Sequence, residues 1–237
     1  MTVHRLVVAC TALLTLAGCS HPASELGTSA ESAIMGGVSA SEYPEAALID
    51  MGNAACSGAV IAPRVVLTAG HCVVGRSSFI VTAPFSGQPA VRASSAEAPD
   101  YDDRGETVNP DQHDVALIYL DEPIQLPYYP TLSARPLEDG ATVLNIGRIG
   151  SGQISFDSLY VGAPVPISDG ASVGFPNAYT TDEVIESGDS GGPCEVLGSE
   201  HEIAAVNSGA GGGIQLLARV DLARNWIRQR VAAYGGR

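Results

Sequence analysis

Ser190 lies inside Gly188-Asp189-Ser190-Gly191-Gly192-Pro193. A serine hydroxyl becomes a useful nucleophile when it is exposed on a tight turn, beside a base that takes its proton. It also needs backbone N–H groups aimed at the oxyanion that forms on attack. Glycines on both sides allow such a turn. Alone, a glycine-rich turn with a serine is usually only a turn, so the other parts must be found. Leu67-Thr68-Ala69-Gly70-His71-Cys72 supplies a histidine, and His113-Asp114-Val115-Ala116-Leu117-Ile118 an aspartate ahead of an apolar run. A lone histidine is more often a surface or core residue than a catalyst, and an aspartate there is commonly a turn residue. Together they offer a nucleophile, a base and a group to orient the base. The chain order His71, Asp114, Ser190 is one of three unrelated orders in which this constellation occurs.

These side chains need a scaffold. Short β-prone runs alternate with turn clusters from Ile34 onward: Val60-Ile61, Val65-Val66-Leu67, Phe79-Ile80-Val81, Val115 to Leu120, Thr142 to Ile146, Ser158 to Val161 and Ile203 to Val206. Many short strands predict an all-β chain. Only the end reads as a helix, with Leu222, Trp226, Ile227 and Val231 at helical spacing and Asp221 able to cap it. Pro123, Pro127, Pro130 and Pro136 bar a central strand between Asp121 and Gly140, so that stretch reads as a link between two halves.

Composition narrows the partners. The formal charge is -14, and all 12 basic residues are Arg. Phosphate binding needs clustered positive charge, so nucleic acid is not an expected partner. Asp100, Asp102, Asp103 and Glu106 form an acidic loop. Hard cations want several carboxylate oxygens, but the spacing fits no calcium motif and reads as a solvated loop.

The apolar run Leu6 to Ala17, after His4 and Arg5, suits an export signal and is too short to span a bilayer comfortably. It ends Leu16-Ala17-Gly18-Cys19, which resembles the lipobox of bacterial lipoproteins. That resemblance implies a signal peptide over 1–18, a lipidated Cys19 holding the chain on a membrane face, and an exported or cell-envelope location. Residues 19–33 read as a tether or propeptide.

Residues 34–231 resemble the trypsin/chymotrypsin-like serine peptidases, on the three motifs above, Ser57-Gly58-Ala59-Val60-Ile61, Ala218-Arg219-Val220 and Asn225-Trp226-Ile227. The resemblance implies two packed antiparallel six-stranded Greek-key barrels, at about 34–125 and 135–220, with a C-terminal helix at about 221–232. It implies a secreted or membrane-anchored endopeptidase, a monomer, acting on protein or peptide with neither cofactor nor metal. Ser190 would attack, His71 act as base then acid, and Asp114 fix the imidazole, while the N–H groups of Gly188 and Ser190 bind the oxyanion. Ile34-Met35-Gly36-Gly37 resembles the family's activation sequence. That implies cleavage of Ala33-Ile34 and pairing of the freed Ile34 amine with Asp189. Cys56 and Cys72 match a family disulfide, which leaves Cys194 buried and free or pairing between chains. Val184 would floor the specificity pocket, with Asn207, Ser208 and Gly209 as a wall. Val184 cannot pair with Arg or Lys, so small or medium apolar residues are the expected preference. A catalytically silent binding protein on the same fold and an esterase using the same triad are the competing readings.

Overall fold

The computed structural model describes residues 37–102, 108–150 and 152–235. The signal segment, Cys19, the 19–33 tether, Ile34, and Asp103 and Glu106 of the acidic loop lie outside the described residues.

The first half holds β1 (Val38–Ser39), β2 (Ala46–Asp50), β3 (Ala55–Ala62), β4 (Val65–Thr68), β5 (Phe79–Thr82), β6 (Val91–Glu97) and β7 (Ala116–Leu120). Strands β2 to β7 close into an antiparallel barrel in the order β2-β3-β4-β7-β6-β5. Pro63-Arg64 makes the reversal between β3 and β4 that the sequence suggests.

The second half holds β8 (Thr131–Leu132), β9 (Thr142–Gly147), β10 (Ile149–Gly150), β11 (Gln153–Ile154), β12 (Tyr160–Val161), β13 (Val165–Pro166), β14 (Ser168–Asp169), β15 (Ala178–Asp182), β16 (Pro193–Val196), β17 (Glu202–Gly211) and β18 (Ile214–Arg219). The main sheet runs β1-β12-β9-β16-β17-β18-β15-β14. Segment 165–169 pairs with β9 through β13 and with β15 through β14, which brings the sheet round on itself. The proline-rich link carries only β8, which lies parallel to β17.

Alternation along the strands builds the core in layers. Val66 and Ile118 face the closed barrel's interior, while Val65, Leu67 and Leu117 face outward. Those outward residues meet Ile203, Val206 and Ala218 of the second half and Val220 and Ile227 of the helix. The strands are therefore apolar on both faces, because both faces are covered. Each fully buried aliphatic side chain contributes about 1.5–3 kcal/mol.

The helix, α1, spans Val220–Tyr234, starting one residue before the expected 221. Its buried residues are Val220, Ala223 and Ile227, whereas Leu222 is 44% exposed. Leu222 does not belong to the buried stripe, because the stripe is set by where β18 delivers Val220. Asp221 pairs with Arg219 at 2.8 Å instead of capping the helix with its side chain.

Cys56 and Cys72 form a disulfide across 16 residues. Cys194 is a free, fully buried thiol in contact with Asn145 Oδ1 and Asn207 Oδ1, out of reach of a second chain. Replacing both Cys56 and Cys72 with alanine should lower the unfolding free energy by about 3 kcal/mol. A urea titration checks this as a lower midpoint.

Candidate functional site

Thr68, the last residue of β4, pairs with Ala116, the first of β7. The chain leaves β4 and enters the short 3-10 turn Gly70–Cys72, which carries His71. Asp114 lies just ahead of β7. One strand pair thus brings the histidine and aspartate together. Asp114 Oδ1 accepts the His71 backbone N–H at 2.8 Å, and Oδ2 lies 2.8 Å from His71 Nδ1. Ser208 Oγ donates to the same Oδ2 at 2.5 Å. Asp114 is 2% exposed, and a buried carboxylate is tolerated when such donors satisfy it. Because a carboxylate accepts, Nδ1 carries the proton, which leaves Nε2 as the basic nitrogen.

The serine turn is held from three sides. The Ser57 N–H donates to the Ser190 carbonyl at 2.8 Å, and Ser57 Oγ donates to the Gly188 carbonyl at 3.0 Å. Asn207 Nδ2 donates to the carbonyls of Ile146 and Asp189 at 3.0 and 3.2 Å. The Cys72 sulfur lies 3.8 Å from the Ser190 carbonyl, so the disulfide abuts the turn next to His71. Gly188 has φ of 112°, a conformation open to glycine. A Cβ on Gly192 would stand 1.9 Å from the Ile146 carbonyl oxygen, so that position admits only glycine. Among the described residues the N–H groups of Gly188 and Ser190 donate to no backbone carbonyl. No hydrogen bond there joins Ser190 Oγ to His71; such bonds often tighten only with substrate bound.

Asp189 is fully buried under this turn. Its carboxylate accepts the N–H groups of Ile149 and Glu186 at 2.9 and 3.0 Å. No cation pairs with it among the described residues. Burial pushes its pKa up to about 6, against the pull of those donors. Arg148, which the sequence did not single out, is 1% exposed and flanks Gly188. Burial lowers its pKa, and attraction to Asp50 and Asp189 works the other way.

The expected pocket residues separate. Val184 is 6% exposed and packs with Val143, Ile149 and Leu217, its N–H donating to Gln215 Oε1 at 3.1 Å. Asn207 supports the serine turn and Ser208 supports Asp114. The β-bulge between Asn207 and Gly209 is what turns Ser208 inward. Gly209 does face a cleft, an apolar one of about 350 Å³ that also takes Val173, Phe175 and Leu216. A second cleft of about 390 Å³ is lined by Glu183, Ile185, Glu186, Ser187 and Ala210, immediately before the serine turn. Gln215, fully buried below Val184, was not visible in the sequence as a pocket residue. Cys56, His71 and Cys72 cluster closely enough to suggest a metal, but both sulfurs are in the disulfide and offer no thiolate.

A family model described as Trypsin matches residues 34–227. Among solved structures, human heparin binding protein superposes with a TM-score of 0.65 at 22% identity, covering 82% of this chain and 95% of that one. An atomic-resolution structure of HBP gives 0.66 at 24% identity, covering 83% and 96%. HL collagenase gives 0.66 at 20% identity, covering 83% and 97%. At these identities the likeness concerns the fold. No curated protein sequence matches this one.

Asp189 titrates at 3.8 when unfolded and near 6 when folded. Its contribution is present in full below pH about 4 and is lost as pH rises to about 6, because the unfolded chain releases the proton first. Denaturant melts of the uncut chain across that window should show the decline, and Asp189→Asn should flatten it. Ser208→Ala removes a hydrogen bond to a charged group and should lower kcat about tenfold with little change in KM. Steady-state hydrolysis of an activated ester reads that split.

Proposed function

We propose that this chain, which belongs to the trypsin family, is a serine endopeptidase that cleaves protein or peptide substrates through an acyl-enzyme on Ser190. The observation that carries this reading is the Asp114 carboxylate gripping both the backbone N–H and Nδ1 of His71. That grip has a purpose only if Nε2 must point somewhere specific, and the Ser190 turn is packed against the next residue, Cys72. In the reaction, His71 Nε2 takes the Ser190 proton as Oγ attacks the carbonyl. Asp114 stabilises the imidazolium, and the N–H groups of Gly188 and Ser190 receive the oxyanion. His71 then gives the proton to the leaving amine, and water repeats the sequence to free Ser190.

Three finer parts belong to the same proposal. Cleavage at Ala33-Ile34 would bring an amine to Asp189, whose buried carboxylate has no cation among the described residues. That pairing would reverse the acid-range pH dependence, since an ion pair lowers a carboxyl pKa. Export rests on the signal-like N-terminus, with lipid on Cys19 as anchor, and cleavage after the tether would release the catalytic domain. Val184, which carries no charge to pair with Arg or Lys, favours small or medium apolar residues at the cleavage site.

The fold neighbours include a protein named for binding heparin, so a binding role merits weighing. Heparin is a polyanion, and this chain carries a formal charge of -14. Its net field opposes that ligand, which favours the catalytic reading.

A fluorophosphonate probe tests the proposal on two purified forms, one beginning at Ser20 and one at Ile34. The Ile34 form should label and the Ser20 form should not, and Ser190→Ala should abolish labelling. His71→Ala should slow it by about 10⁴-fold or more. Absence of labelling in a folded Ile34 form would leave a binding protein as the reading.

A further inference from the structure

On the opposite side of β16 from the free thiol, two glutamates are buried facing each other. Glu45 is fully buried and Glu195 is 2% exposed. Among the described residues Glu45 Oε2 and both carboxylate oxygens of Glu195 have no hydrogen-bond partner. Cys194 and Glu195 are successive residues of β16, so their side chains leave on opposite faces. Cys194 meets Asn145 and Asn207, and Glu195 turns to a cavity of about 200 Å³ lined also by Glu42, Tyr43, Tyr128, Ser199 and His201.

The local field is negative from every side. Glu195 feels Glu45 and Glu202, and Tyr43 and Tyr128 feel Glu42, Glu45 and Glu195. Among the described residues no Arg pairs with either glutamate, and the Arg ion pairs go to Glu122, Asp221 and Glu97. The one basic neighbour, His201, puts Nδ1 2.8 Å from Glu45 Oε1 and Nε2 3.0 Å from the Tyr128 hydroxyl. It therefore orients Glu45 and leaves the three orphan oxygens uncovered. Glu202 is engaged elsewhere, its Oε1 accepting from Ser133 Oγ at 2.6 Å.

Two buried carboxylates cannot both stay charged and unpaired. Either a proton or a cation must lie between them. We propose that Glu45 and Glu195 bind a hard divalent cation of the calcium class, completed by water from the adjoining cavity. The donors are all oxygen, which selects calcium or magnesium over zinc or copper. His201 acts behind the site by holding one ligand in place, as partners of metal ligands commonly do. With only two protein carboxylates, affinity belongs to the weak extracellular range, about 0.1–1 mM. The site is independent of the proposed peptidase reading, because its readout is binding and stability.

The test uses the full chain, stripped with EDTA and melted at pH 7.5. Adding 10 mM calcium chloride, against sodium chloride of equal ionic strength, should raise Tm by about 3–10 °C. Calorimetric titration of calcium into the same protein should show one site. Glu195→Gln should abolish both signals while folding normally, since its amide can donate to Glu45 Oε2. Asp102→Asn, in the acidic loop, should keep both. No calcium or magnesium response in the wild-type protein would overturn the proposal and assign a shared proton to the pair. In that case stability falls steadily from pH about 5 to 9, because unfolding releases a proton that the folded pair holds to about 9. A calcium response that survives Glu195→Gln and vanishes in Asp102→Asn would also overturn it, placing the ion in the loop.

Discussion

The pairing of β4 with β7 is the constraint on which the rest depends. Both strands are buried on both faces, and their register sets Thr68 opposite Ala116. Val66 and Ile118 lock the pair into the closed barrel, and Leu67 and Leu117 lock it against the second half. A slip of one residue would exchange these two faces and separate His71 from Asp114. The geometry of the candidate base is therefore underwritten by apolar packing well beyond the polar atoms themselves.

The second half meets that fixed edge with a polar layer. Asn207, fully buried, spans from β17 to the carbonyls of Ile146 and Asp189, and its own carbonyl accepts the Gly191 N–H at 2.7 Å. One residue on, Ser208 reaches Asp114. A single bulged strand thus supports both the serine turn and the carboxylate behind the histidine. Buried polar groups are costly unless satisfied, and satisfied networks tolerate few alternative arrangements. That exchange suits a site in which a hydroxyl and an imidazole from different halves must meet.

The chain's acidity has an interior counterpart. Asp114, Asp189, Glu45 and Glu195 are all buried, and each is handled differently. Asp114 has three donors, and Asp189 has backbone N–H groups but no side-chain cation among the described residues. Glu45 has one histidine, and Glu195 has no donor among the described residues. The four carboxylates thus run from fully satisfied at Asp114 to orphaned at Glu195 among the described residues.

The sequence by itself determined the all-β class, the helical end, and His71, Asp114 and Ser190 as the residues worth attention. Those features are written in local spacing: alternation, turn glycines, and three short motifs in a set order. Only the tertiary structure decided what supports them. That Ser208 also bonds Asp114, beside a bulge in β17, was not legible in the sequence. Leu222 fitted the helical stripe by spacing, yet the entry from β18 rotates it to solvent. Gln215 beneath Val184, Arg148 beside Gly188, and Glu45 opposite Glu195 join residues far apart in the chain. No periodicity encodes such meetings, because they arise where separate strands happen to cross in space.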